Sequence, residues 1–100
     1  MKEPAYILKK EITGINGERI ILFYFTTESV HSKRCYGVGI DMYTQNAGAR
    51  TTKVRKVMEN VFEDKRKAEE FLRTICRCSV TATSLEDVVS DNILAEKNII

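Results

Sequence analysis

The sequence is poor in the residues that most often carry chemistry: it has no tryptophan, one proline, one histidine and three cysteines. A lone histidine without a nucleophile motif such as G-x-S-x-G gives little basis for acid–base or nucleophilic catalysis. No P-loop occurs, and Gly37-Val38-Gly39 lies inside a predicted strand without the helix that a dinucleotide-binding turn requires. We therefore expect a protein that is not an enzyme and that has no small-molecule substrate.

Long apolar runs are also missing. The longest, Ile20 to Phe25, is far shorter than the ~20 residues of a membrane-spanning helix. The N-terminal Met1-Lys2-Glu3-Pro4 is not followed by the apolar stretch of a signal peptide. A net charge of +2 is too small to indicate a polyanionic partner by itself. These features predict a cytoplasmic protein with no membrane partner.

The cysteines, Cys35, Cys76 and Cys78, are odd in number, which is typical of a reducing compartment where thiols stay free. Two residues apart on a helix, Cys76 and Cys78 would point about 200° away from each other and would not meet at one ion. His31 is predicted in a separate loop. Because a tetrahedral zinc site needs four such ligands in one place, we expect no metal and no cofactor.

Hydrophobic residues make up 43% and charged residues 30% of the chain, as in globular proteins, and 100 residues suffice for one domain. Apolar periodicity predicts four strands, over residues 5–13, 18–27, 35–43 and 51–61. Asn16-Gly17 favours a hairpin turn between the first two. The second strand is apolar on both faces, which indicates a central position in an antiparallel meander.

Two strands depart from a clean alternation. Lys10 interrupts the apolar face of the first strand, which is otherwise formed by Tyr6, Leu8 and Ile12. The fourth strand carries apolar residues that do not share one face, and either a bulge or an early end of the strand would reconcile them. Its many cations suit an exposed edge strand.

Two helices are predicted after the strands, over residues 65–78 and 84–93. Asp64 is a suitable N-cap for the first helix, whose apolar residues recur at helical spacing: Ala68, Phe71, Leu72 and Ile75. Thr83 to Glu86 has capping-box spacing for the second, with Thr81 as the alternative cap. The predicted fold class is α+β, a four-stranded antiparallel β-meander followed by two C-terminal helices packed on one sheet face.

Four segments of the chain resemble a family of small uncharacterised proteins from Gram-positive bacteria, domain of unknown function 6514. The segments are Tyr36 to Ile40, Glu59 to Lys65, Ala68 to Leu72 and Val80 to Val89. Gly39 stands where the family has an acidic residue, and Ala82 where it has a proline. The resemblance covers about the C-terminal two-thirds of the chain. It supports the fold and implies no activity or site residues.

A first candidate site is the sheet face opposite the helices. If Tyr36, Val38 and Ile40 face the helices, an aromatic and glycine-rich set shares the other face: Phe23, Phe25, Gly37, Gly39 and Tyr43. Exposed aromatics beside glycines are typical of a protein contact, with either a second copy of the chain or another protein. The alternatives are that a phenylalanine covers the glycines, or that the faces are inverted.

A second candidate site is basic and combines the fourth strand with the start of the first helix: Arg50, Lys53, Arg55, Lys56, Lys65, Arg66 and Lys67. Clustered cations attract phosphates, but a solvated edge strand and helix start explain the same pattern. The second helix carries Glu86, Asp87 and Asp91, so it is unsuited to be a DNA recognition helix. Nucleic acid therefore ranks second to protein as the expected partner.

Overall fold

The computed structural model describes residues 7–29, 36–46 and 50–98, with side chains as far as residue 92. Within these ranges the order is β1 (Ile7–Thr13), β2 (Arg19–Glu28), β3 (Tyr36–Gln45), β4 (Thr51–Phe62), α1 (Lys65–Arg77) and α2 (Leu85–Asn98). The strands form one antiparallel sheet in the order β1-β2-β3-β4. The predicted α+β fold is confirmed. The predicted strand residues 5, 6 and 35 and the loop with His31 lie outside the described residues.

A bulge in β4 accounts for part of its irregular apolar pattern, because it brings Val61 to the same face as Met58, while Val57 stays on the opposite face beside Gly39. Val38 pairs with Met58 while Tyr36 pairs with Phe62, so a two-residue step on β3 faces a four-residue step on β4. Within the extra residues, Asn60 has a φ of 56°, a left-handed conformation that asparagine tolerates well. The shift directs both Val61 and Phe62 into the core, where each is buried. Of the two alternatives predicted for this strand, the bulge is the one that forms.

The core lies between the helices and one face of the sheet. From the sheet it takes Leu22, Tyr24, Val38 and Ile40, and from the helices Ala68, Leu72, Ile75, Leu85 and Val89. In the predicted apolar stripe of α1, Ala68, Leu72 and Ile75 are buried. Both helices therefore cover the same sheet face, as predicted.

The link between the helices is fixed from two sides. The Tyr24 hydroxyl donates to the carbonyl oxygen of Val80 at 2.7 Å. The Val80 amide donates to the carbonyl oxygen of Ile75 at 3.0 Å, while Ser79 takes a φ of 55°, which closes the C-terminus of α1. Burial, with smaller contributions from Cys76 and Cys78, raises the pKa of Tyr24 well above its ordinary value, so the phenol keeps the proton that it donates.

Lys10, which interrupts the apolar face of β1, caps the end of α1. Its Nζ donates to the carbonyl oxygens of Cys76 and Arg77, both at 3.0 Å. These carbonyls belong to the last turn of the helix, where the macrodipole is negative and carbonyl groups lack helical partners. A cation from β1 therefore satisfies carbonyl groups at the end of the helix.

Lys10→Met should destabilise the fold by about 1 kcal/mol, because methionine keeps most of the stem but removes the charged donor from the helix end. Urea unfolding of the variant would measure this change. Lys9→Met is the matched control, since Lys9 is the neighbouring residue on the opposite sheet face, over the Phe23 ring. Equal losses in the two variants would show that Lys10 does not cap α1.

The two helices begin differently. Asp64 is the predicted N-cap of α1, and its Oδ1 accepts from the Arg66 amide at 2.9 Å. The predicted capping box of α2 does not form, because α2 starts at Leu85 and the Glu86 carboxylate instead lies 3.1 Å from Lys56 Nζ. That salt bridge joins α2 to β4 across the helix-covered side of the sheet.

Candidate interaction site on the open sheet face

Neither helix packs against the second face of the sheet, which we call the open face. The register sets three rows across it, since residues paired in an antiparallel sheet share a face. From β1 to β4 the rows are Ile7–Phe25–Gly39–Val57, Lys9–Phe23–Asp41–Arg55 and Glu11–Ile21–Tyr43–Lys53. Gly37 lies on the same face beside Thr27. All five residues of the first predicted site are therefore brought together.

Phe25 fills the space above Gly39 on the open face. Its side chain is only 4% exposed, and a Cβ added at Gly39 would lie 2.4 Å from the Phe25 ring. The Arg55 guanidinium covers the ring at 5.2 Å from its centroid. At Gly39 the structure therefore shows the alternative in which a phenylalanine covers a glycine. Phe25 is a buried packing residue of the open face.

Asp41 and Arg55 form a two-pronged ion pair between β3 and β4. Arg55 Nε donates to one carboxylate oxygen at 2.6 Å, and a terminal nitrogen donates to the other at 2.8 Å. The Asp41 side chain is 12% exposed, whereas that of Arg55 is 46% exposed. The hydrogen bonds from Arg55 hold the pKa of Asp41 below its ordinary 3.8, against the opposing effect of burial.

The ion pair should stabilise the protein in a pH-dependent way. Because the folded pKa of Asp41 lies below the unfolded value, its contribution is present above about pH 4 and is lost as pH falls through the folded pKa. At pH 7, Asp41→Asn should cost about 1 kcal/mol, a modest figure because Arg55 is half-exposed. Urea unfolding of both proteins at several pH values measures it. A difference that stays unchanged as the pH is lowered well into the acid range would contradict this assignment.

Two further aromatic rings lie on the open face, each with a lysine above it. Phe23 and Tyr43 contact each other edge to face, with centroids 5.7 Å apart. Lys9 Nζ lies 5.8 Å from the Phe23 centroid and Lys53 Nζ lies 5.6 Å from the Tyr43 centroid. Both rings are half-buried and both lysines are exposed. The face therefore presents two cation–π pairs to solvent.

The charges of the open face are not balanced. Glu11 pairs with Arg19, and Asp41 pairs with Arg55. No salt bridge engages Lys9 or Lys53 within the described part of the chain. Two positive charges therefore remain, one on each edge strand.

The second predicted site is not one surface. Strand alternation places Lys53 and Arg55 on the open face, whereas Lys56 lies on the helix-covered face with Glu86. At the start of α1, Arg66 pairs with Glu70 at 3.2 Å. The remaining predicted cations, Arg50, Lys65 and Lys67, are exposed. The two sites predicted separately thus share the open face through Lys53 and Arg55.

A groove lies between α1 and α2, away from the open face. Its volume is about 700 Å³, and its wall is mainly apolar, including Phe62, Phe71, Val80 and Val88. Lys67 lines its rim together with Glu70 and Asp91. This predicted cation therefore belongs to a mixed-charge groove rather than to a basic patch.

Two further features of the described residues concern membranes and metal ions. No helix within residues 7–29, 36–46 and 50–98 is long and apolar enough to cross a membrane. The same residues contain no group of three or more histidine, cysteine, aspartate or glutamate side chains placed to hold a metal ion. Cys76 is half-buried and Cys78 is exposed at the end of α1.

The sequence reasoning missed Lys9 and the ion pair of Asp41 with Arg55 as parts of the site. Both depend on strand register, which the predicted strand ends gave only approximately. Residues equally far from the centre of a hairpin turn face each other across the two strands. The predicted turn between β3 and β4, residues 44–50, is centred on residue 47 and would place Asp41 opposite Lys53, whereas Asp41 pairs with Arg55. Lys9 lies beside Phe23 only in the actual register of β1 against β2.

The fold and the open face together define a small α+β protein with a four-stranded antiparallel meander, two covering helices and an aromatic, cationic sheet surface. The chain belongs to the family of unknown function DUF6514, which matches residues 4–95. This confirms the family resemblance and extends it beyond the C-terminal two-thirds. No curated protein and no solved structure matches the chain.

Proposed function

We propose that this chain is a non-catalytic interaction module of the cytoplasm that binds an acidic macromolecule through the open face. The observation that carries the proposal is a pair of exposed lysines, Lys9 and Lys53, which form no salt bridge within the described residues and lie above the Phe23 and Tyr43 rings. An exposed cation–π contact is worth only about 0.5–1 kcal/mol. A lysine held this weakly is available to an incoming anionic group.

The engaged carboxylates support a binding role over a catalytic one. Both oxygens of Asp41 accept hydrogen bonds from Arg55, and Glu11 is paired with Arg19. A general base needs a carboxylate that is free to accept a proton from a substrate. On this face the acids instead fix neighbouring arginines.

The charge of the open face also bears on self-association. A face-to-face dimer would bring the lysines of one copy, Lys9 and Lys53, towards the same lysines of the other. Opposed like charges at an interface cost several kcal/mol. An acidic partner avoids this cost, so we place another molecule before a second copy as the occupant of the face.

Capture from native lysate tests the proposal. The bait proteins are the wild type, an open-face variant with Lys9→Glu and Lys53→Glu, and a control with Lys65→Glu and Lys67→Glu, which carries the same charge change on α1. The wild type and the control should retain a partner that the open-face variant loses, with both protein and nucleic acid analysed. Identical bound material on all three baits would refute the proposal.

Light scattering of the purified protein separates self-association from binding to another molecule. The wild type should be monomeric at micromolar concentration. A dimer that Phe23→Ser converts into a folded monomer would instead show that a second copy occupies the open face. A dimer that survives this change would place self-association elsewhere on the protein.

A further inference from the structure

We infer that the partner of the open face is a single-stranded nucleic acid, whose bases stack on Phe23 and Tyr43 while Lys9 and Lys53 contact its phosphates. The inference rests on the proposed function of this face and names the class of partner. It uses no cation of α1, and of the basic edge strand only Lys53 has a direct role.

The two rings are prepared for stacking by their surroundings. Each is half-buried, so its orientation is set by packing, and the edge-to-face contact between the rings at 5.7 Å fixes their relative tilt. Each lysine ammonium lies less than 6 Å from the centroid of its ring. A flexible lysine stem can move its charge to a phosphate, and the uncovered ring then accepts a base. One cation–π contact is thereby replaced by an ion pair and a stack.

The order of groups across the sheet matches a strand of nucleotides crossing it. Lys9 is on the edge strand β1 and Lys53 on the edge strand β4. Measured across the strands, their backbones are three strand spacings apart, or about 14 Å, and they stand in adjacent rows about 7 Å apart along the strands. The rings stand on β2 and β3 between them. Four-stranded RNA-binding sheets of this width stack two or three bases on such central rings.

The middle of the face does not repel a phosphate chain. Asp41, an acid beside both rings, is the cross-strand partner of Phe23. It is neutralised by Arg55, which donates to both of its oxygens. Arg55 also covers Phe25, so this third ring is unavailable for stacking. The stacking surface is therefore limited to two rings with a cation on either side.

Single strands fit this surface better than either a duplex or an acidic peptide. In a duplex the base faces are stacked on one another, so only its phosphates would reach the lysines. A peptide of acidic residues alone would likewise pair with the lysines and leave the ring faces without a partner. Of these three ligands, only a single strand uses the cations and the rings together.

Fluorescence anisotropy tests the inference with labelled oligo-U and oligo-dT of about 12 nucleotides, a duplex of the same length, and a polyglutamate peptide of similar charge. The protein should prefer a single strand to both the duplex and the peptide. Tyr43→Leu should weaken that binding roughly 5- to 100-fold, because stacking on the ring is lost. Lys53→Gln should lower the slope of log affinity against log salt by about 0.7.

Lys67→Gln is the control for these variants, since Lys67 is an exposed lysine at the rim of the helical groove. It should leave the affinity unchanged. Circular dichroism verifies that each variant is folded. If Tyr43→Leu does not fold, Lys53→Gln still decides the test, because a substitution at this exposed position leaves the fold intact.

If polyglutamate bound as tightly as the single strands, and if Tyr43→Leu changed neither affinity, the inference would be overturned in favour of an acidic protein. The inference would also be overturned if the protein bound neither oligo-U nor oligo-dT. In both cases the proposed function stands if lysate capture still depends on Lys9 and Lys53, so the two failures are distinguishable.

Discussion

Gly37→Ala is expected to destabilise the protein by about 3 kcal/mol, which lowers Tm by more than ~10 °C. An added Cβ would lie 2.3 Å from the Met58 carbonyl oxygen and 2.8 Å from the Glu59 Cα. Both atoms belong to the backbone of β4 at its bulge, so they cannot withdraw without disrupting the β3–β4 pairing. Thermal and urea unfolding followed by circular dichroism measure the loss.

Gly14→Ala is the matched control for Gly37→Ala. A Cβ at Gly14 would meet the carboxylate end of Glu18, which is a flexible side chain at the β1–β2 turn and can rotate towards solvent. The control should therefore lose less than about 1 kcal/mol. Equal losses at the two glycines would mean that the β4 backbone yields more easily than its pairing implies.

Gly39→Ala should cost about 2 kcal/mol for a different reason. The added methyl group would lie 2.4 Å from Phe25 Cζ, and Phe25 is held in place by burial and by the Arg55 guanidinium above it. The ring must leave its position, which exposes apolar surface and removes the cation–π contact. Unfolding experiments at pH 7 measure the change.

A double-mutant cycle identifies the ring as the obstacle. Phe25→Leu vacates part of the space over Gly39, so Gly39→Ala should cost at least ~1 kcal/mol less in that background than in the wild type. Additive losses would locate the strain in the backbone instead. Gly37→Ala should gain nothing from Phe25→Leu, because its neighbours include backbone atoms of β4.

These predictions connect stability to the candidate site. Phe25, Gly39, Asp41 and Arg55 form a packed and paired floor on the open face. The floor fixes the backbone of β2 and β3 on which Phe23 and Tyr43 stand. A substitution at one of these four residues should therefore weaken binding only indirectly, by destabilising the fold. Tyr43→Leu and Lys53→Gln should instead weaken binding directly, because they remove groups that contact the partner.

Much of the fold was accessible from local sequence. The Asn16-Gly17 turn, the apolar run of β2 and the helical spacing of Ala68, Leu72 and Ile75 depend on neighbours a few residues away. Periodicity and turn chemistry report such short-range order directly. The meander order follows because consecutive strands joined by short turns pair with each other.

The site was predicted less completely because its parts meet across strands. The aromatic residues were assigned to one face correctly, but that Phe25 covers Gly39 depends on the register of β2 against β3. The predicted basic site grouped cations that are neighbours in sequence. Successive side chains of a strand point to opposite faces, so Arg55 and Lys56 lie on different sides of the sheet.

The sequence by itself determined the strands, the helices and their order, because these follow from spacing within each segment and from the short connections between segments. It left open whether Phe23, Phe25 and Tyr43 lie on the face that the helices leave uncovered. Only the tertiary structure decided the role of Lys10 at the end of α1, the pairing of Asp41 with Arg55, and the placement of Lys9 and Lys53 over two rings. Each of these contacts joins different elements of the fold. Their geometry is set by strand register and helix position, which no single segment of the chain encodes.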